Sequence, residues 1–135
     1  MAGFDGIVIQ GRAEDPVYLW IYDGNVEIRD AKPIWGNDSY ESAEWLKGET
    51  SRKATVAVIG QAGERMGKIA SIPHIGHIVR AAARTGLGAV MGSKNLKAMV
   101  VLGNGSVPIA EPDELKTYMA NLTAHIRGVT EILRR

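Results

Sequence analysis

Residues 80–103, RAAARTGLGAVMGSKNLKAMVVLG, place Arg80, Arg84 and Lys94 among the small residues Ala81, Ala82, Ala83, Gly86, Gly88, Ala89 and Gly92. Small side chains let a backbone approach a bulky ligand closely, and exposed amides beside cations suit an anion with several phosphate oxygens. The same residues would equally permit tight helix-to-sheet packing with the arginines solvated, and spacing alone leaves both readings open. A dinucleotide loop fits less well. Gly86-Leu87-Gly88 with Gly92 gives GxGxxxG, one residue longer than the usual fingerprint, which also needs a strand before its first glycine and an acid about 20 residues on. Residues 77–85 read as helical or irregular, and the first acid downstream is Glu111, ahead of a helix.

Other chemistry-bearing residues are sparse. His74 and His77 stand three apart, but Pro73 disfavours a regular helix at its predecessor and no third metal ligand lies nearby, so a structural or solvent-facing pair is the better reading. Glu64, in the loop QAGE, is read as a loop cap or solvated acid rather than a catalytic one. Zero cysteines exclude disulfides, thiolate catalysis and any thiolate-held iron–sulfur cluster within these residues. A net charge of +1 gives no general basic field for nucleic acid. Apolar runs fall well short of the roughly 20 residues that span a bilayer, and MAGFDG lacks the features of a secretion signal, so the expected location is the cytoplasm.

The elements that must position these residues form one domain's worth of chain: 135 residues, 45% hydrophobic and 23% charged. GIVIQ at 6–10 reads as a buried strand. VYLWIY (17–22), Asp23-Gly24 and NVEIRD (25–30) read as a hairpin on a two-residue type I′ turn, with Val26 and Ile28 on its buried face. Asp38 followed by Glu41 suggests a capped helix to about Lys47. Thr55 to Ile59 reads as a central strand, 69–79 resists assignment, and LKAMVVL (96–102) reads as a strand buried on both faces. A final helix starts at Pro112, with Asp113 and Glu114 in its first turn. Its apolar stripe runs through Leu115, Tyr118, Met119, Leu122, His125 and Ile126 toward Val129, Ile132 and Leu133, weakened at Gly128, and asks for a partner. The expected fold is α+β: a mixed sheet with a hairpin and two main helices, divided as 1–110 and 111–135.

RAAAR with GLGAVMGSKNLKAMVV, and collinear with them GFDGIVIQGRAEDPVYLWI (3–21), VEIRDAKPIWG (26–36) and VAVIGQAGE (56–64), resemble the N-terminal domain of the tungsten-containing aldehyde ferredoxin oxidoreductase family. The resemblance covers roughly the whole chain. It implies an internal piece of that domain, as a split subunit or truncated reading frame, with the partners being an upstream sheet, downstream helical domains and, for the complete enzyme, ferredoxin. No nucleic acid or membrane partner is expected.

What the resemblance implies about the site is a tungsten bis-pterin cofactor whose phosphates are bridged by magnesium. By that match the Ala81 backbone carbonyl coordinates magnesium, Arg80 contacts a phosphate, Ala82 lies beside it, Arg84 stabilises the same anionic region, and Gly86 and Gly88 keep the loop low beneath the pterin. Ala83 and Thr85 stand where many members carry glycine. No catalytic residue is expected here, and the four-iron, four-sulfur cluster of the complete enzyme would be ligated elsewhere. The implied reaction is oxidation of an aldehyde to a carboxylic acid, with this chain alone inactive. The alternatives are a cofactor-free structural or assembly module, or a segment of a related aromatic acyl-CoA reductase.

Overall fold

Aspartate and glycine at 23–24 fold the chain back on itself. Both residues have positive φ, +43° and +85°, as a type I′ turn requires. They join β1 (Val17–Tyr22) to β2 (Asn25–Asp30) in an antiparallel hairpin running from Val17 opposite Asp30 to Tyr22 opposite Asn25. The computed structural model describes residues 1–133, in two units: Met1–Gly105, and a second beginning at Ser106.

In the first unit the hairpin joins four more strands: β3 (Thr55–Val58), β4 (Ile72–Ile75), β5 (Val79–Ala82) and β6 (Leu96–Leu102). The order is β2-β1-β6-β3-β4-β5. Only β1 and β6 run parallel; the other neighbours are antiparallel. The helices are α1 (Ser39–Glu49), α2 (Gln61–Glu64), α3 (Leu87–Ser93) and α4 (Pro112–Leu133), of which α4 belongs to the second unit. The fold is therefore α+β with a mixed sheet, as expected.

One sheet face is sealed. Tyr18, Trp20, Val56, Val58, Ala98 and Val100 point into a cluster closed by Ala43 and Leu46 of α1 and by Ile34. The Asp38 carboxylate caps α1 by accepting from the amides of Tyr40 at 2.7 Å and Glu41 at 2.9 Å, the capping the sequence suggests. Trp45 meets the ring of Tyr18 edge-on, 6.4 Å between centroids.

The opposite face is only partly covered, and here two expectations fail. Residues 6–10 form no strand. They belong to an irregular arm whose Ala2 and Ile9 rest on this face beside Leu19 and Ile21. The arm is tethered at one end by Gly24 N–H to the Ala2 carbonyl, 2.7 Å, and at the other by Ala13 N–H to the Lys94 carbonyl, 3.1 Å. Both neighbours of β1 are already β2 and β6, so the apolar run binds the sheet through side chains instead of joining its ladder; periodicity does not separate these outcomes in a short run. Second, Val26 and Ile28 lie on this open face, 51% and 71% exposed, while Glu27 and Arg29 lie on the sealed side, where Arg29 sits over Trp20 at 6.0 Å from the ring centroid and pairs with Glu27 at 2.7 Å. For the same reason Met99 and Val101 are half-exposed and not buried on both sides.

The second unit holds α4, which starts at Pro112 as expected and continues through Gly128. Leu115, Tyr118, Met119, Ile126 and Val129 are all 42% exposed or more. The expected continuation to Ile132 and Leu133 falls outside the described side chains. No helix among the described residues is long and apolar enough to cross a membrane.

Candidate functional site: the β4–β5 edge and the turn that follows

The stretch that resists assignment by sequence, 69–79, and the start of the alanine-rich segment form an antiparallel pair, β4 and β5, at the sheet edge. Pro73 stands opposite Ala81 and His74 opposite Arg80. This register frees one carbonyl. If Ala81 faced its partner as a hydrogen-bonded pair, its acceptor would need the N–H of Pro73, which proline lacks; in the alternate phase the carbonyl points away from β4, where no strand lies beyond β5. No other backbone or side-chain donor among the described residues reaches it. Ala81 is exposed, on the strand at the sheet edge.

Arg80 and Arg84 flank it. Arg80 makes only a 3.2 Å bond to the Val79 carbonyl, and neither arginine has an ion-pair partner among the described residues. Ala82 is half-buried and adds no bulk. Lys94 is committed elsewhere, its ammonium donating to the Gly11 carbonyl at 3.0 Å.

After β5 the chain makes a 3₁₀ turn, Arg84–Gly86, and enters α3. Thr85 and Gly86 both have positive φ, +69° and +68°. A Cβ at Gly86 would lie 2.0 Å from the Lys68 carbonyl oxygen, one at Gly88 2.6 Å from that of Ser71, and one at Gly92 1.9 Å from that of Gly63. Gly86 and Gly88 are buried. Their smallness thus serves close approach to the chain's own backbone at 63–71, the packing alternative weighed above.

Glu64 is a cap with a second duty. Its carboxylate accepts from Gly36 N–H at 3.1 and 3.0 Å and pairs with the fully buried ammonium of Lys97, which also donates to the Asn37 carbonyl at 3.0 Å. The cap was legible; the pairing was missed, although a lysine inside the run LKAMVVL signals a buried partner. The role of Pro73 was also missed; the cue was Gly76 between two short apolar runs, which marks a hairpin. His74 lies in β4 and His77 in the following turn, and no group of three metal-ligating side chains occurs among the described residues.

A free carbonyl is the hard oxygen donor magnesium takes, and unpaired guanidinium groups are what phosphates take, so these residues fit one side of a magnesium-bridged phosphate group. The sequence profile of the aldehyde ferredoxin oxidoreductase N-terminal domain matches residues 1–103. The tungsten-containing aldehyde ferredoxin oxidoreductase of Pyrococcus furiosus is 52% identical over 128 residues, 94% of this chain and 21% of that one; that of Pyrococcus abyssi is 51% identical over 111 residues. The WOR-like subunit of an aliphatic sulfonate oxidoreductase from P. furiosus is 35% identical over 144 residues. Among solved structures, the active-site complex BamBC of benzoyl coenzyme A reductase superposes with a TM-score of 0.87 at 40% identity, covering 96% of this chain and 20% of that one. The chain spans about a fifth of the length of these relatives, and on the match over 1–103 it belongs to the aldehyde ferredoxin oxidoreductase family, by its N-terminal domain.

Proposed function

We propose that this chain supplies one side of the phosphate and magnesium site of a tungsten bis-pterin cofactor within a larger oxidoreductase. The observation that carries the reading is the Ala81 carbonyl, released from the sheet ladder opposite Pro73 and set in sequence between two arginines that have no ion-pair partner among the described residues. Ala81 would give magnesium one oxygen. The guanidinium of Arg80 would hold a phosphate through paired charge-assisted bonds, with Arg84 adding charge and Ala82 leaving room. Gly86 and Gly88 would act at one remove, pinning the turn that carries Arg84 against residues 68–71. When bound, the tungsten centre supplies the two-electron redox chemistry. The remainder of the enzyme would bring the other magnesium ligands, the substrate pocket and the four-iron, four-sulfur cluster through which electrons reach ferredoxin; without them the chain turns over nothing. Aldehyde oxidation to a carboxylic acid is the reaction favoured by the 52% identity to the P. furiosus enzyme. Reduction of an aromatic acyl-CoA is the second reading, favoured by the likeness to benzoyl coenzyme A reductase.

The test is co-expression of the full chain with the polypeptide supplying the remaining domains, followed by assay of tungsten and pterin in the purified complex. Both are expected together, with Arg80→Ala lowering pterin retention about tenfold, the loss of one charge-assisted contact, while Arg52→Ala changes nothing. A complex that assembles without tungsten and pterin overturns the proposal.

A further inference from the structure

One register row crosses all six strands on the open face: Ile28, Leu19, Met99, Ala57, His74 and Arg80. Its first four residues are apolar; its last two carry nitrogen donors. Residues directly opposite in an antiparallel pair have Cβ atoms about 4.5–5.5 Å apart, so the side chains of His74 and Arg80 leave neighbouring points of the same face. Both are exposed. Neither has a carboxylate among the described residues, and an arginine beside a histidine is an arrangement that gains nothing from its own sheet. The next position in the row is Ala57, whose small side chain leaves space above the sheet beside the pair.

We propose that His74 is a second phosphate contact of this site, donating a ring N–H to the anion that Arg80 holds. The inference rests on the phosphate reading above and adds a residue to it. A neutral imidazole offers one N–H donor, so the contact does not depend on a charged ring. Arg80 grips from β5 and His74 from β4, so the phosphate lies across the β4–β5 pair, over the face and beside the edge where the Ala81 carbonyl is free. The two histidines read from sequence as a possible metal pair thus part company: His74 faces the anion from a strand, and His77, in the turn, does not share the row.

The experiment uses the full chain and inorganic pyrophosphate with magnesium as the probe, with binding followed by calorimetry and by the ³¹P shift. His74→Ala is expected to weaken pyrophosphate binding about tenfold, the worth of one hydrogen bond to a charged group. His74→Gln, which keeps an N–H donor, is expected to recover most of it, and His77→Ala to match the parent. Arg80→Ala is expected to weaken binding further. Thermal unfolding of each variant should match the parent, since both side chains are exposed. If Arg80→Ala loses binding while His74→Ala does not, the role of His74 is overturned and the phosphate site stands. If the parent chain binds no pyrophosphate, or Arg80→Ala binds as well as the parent, both proposals fall.

Discussion

Thr85 holds a left-handed backbone, φ +69° and ψ +5°, where a β-branched residue is a genuine outlier. Its hydroxyl donates to the Arg84 carbonyl at 2.5 Å, a local bond that offsets only part of the strain. Thr85→Gly is expected to stabilise the chain by about 1 kcal/mol, the lower end of the cost of such a conformation, as measured by the shift of the urea midpoint. At Gly92 the opposite holds, because an added Cβ would meet the Gly63 carbonyl oxygen at 1.9 Å and backbone does not swing aside as a flexible side chain does. Gly92→Ala should cost about 3 kcal/mol or more. Gly48→Ala, on α1 with nothing within 4 Å, should stabilise by roughly 0.5–1 kcal/mol through helix propensity alone. The order Gly92 far worse than Gly48 is the check that the glycines of 86–92 are packing residues. Sequence showed that small residues gather there. It left open what they are small for, because the facing backbone at 63–71 is distant in sequence and part of it carries no periodic pattern.

Among elements, β6 does the most connecting. It pairs with β1 on one side and β3 on the other, and Lys97, one residue into it, reaches Glu64 at the end of α2 and the carbonyl of Asn37 ahead of α1. Gln61 adds a bond of 2.6 Å to the Gly36 carbonyl. No buried side-chain nitrogen or oxygen among the described residues lacks a hydrogen-bond partner. Breaking such a pair from one side leaves a charge without water or counter-ion, at a cost of about 3–5 kcal/mol, whereas removing both charges costs much less. Lys97→Met is therefore expected to destabilise by that amount, and Lys97→Met with Glu64→Gln to recover a large part, the glutamine oxygen still accepting from Gly36. Denaturation of the two single variants and the double variant gives the coupling; additive losses would mean that the two side chains act independently. The hairpin of β1 and β2, the cap of α1 and the start of α4 were legible because each has a local signature: Asp-Gly, Asp38 with Glu41, and Pro112 before two acids. The β4–β5 pair was not, because each strand is four residues long, Pro73 interrupts one, and the alanines of the other fit helix as well as strand.

At the scale of the molecule, the uneven treatment of the two sheet faces is the main feature. The side facing α1 is closed and supplies most of the core. On the other, an arm that reads as a strand lies irregularly across the sheet, leaving a cleft of about 370 Å³ between Phe4, Ile7, Ile21, Met99 and Val101, and another of about 260 Å³ beside Ile9, Val17, Leu19 and Ile28. Sequence alternation in β2 correctly separated Val26 and Ile28 from Glu27 and Arg29, yet named the wrong side as buried. Alternation tells which residues share a face and not which face is covered within this chain, since covering depends on what else is present. The consequence is measurable. Ile28 is 71% exposed and Val26 51%, so replacing both with threonine should change stability little, within about 0.5 kcal/mol each for surface positions. It should nonetheless lower the fluorescence of a bound hydrophobic dye and the tendency of the full chain to self-associate in sedimentation. Val56→Thr, on the sealed face at 0% exposure, should instead destabilise and raise dye binding. If the β2 pair unfolded the chain and left dye binding unchanged, that face would be a covered core, and the arm's irregular course would need another explanation.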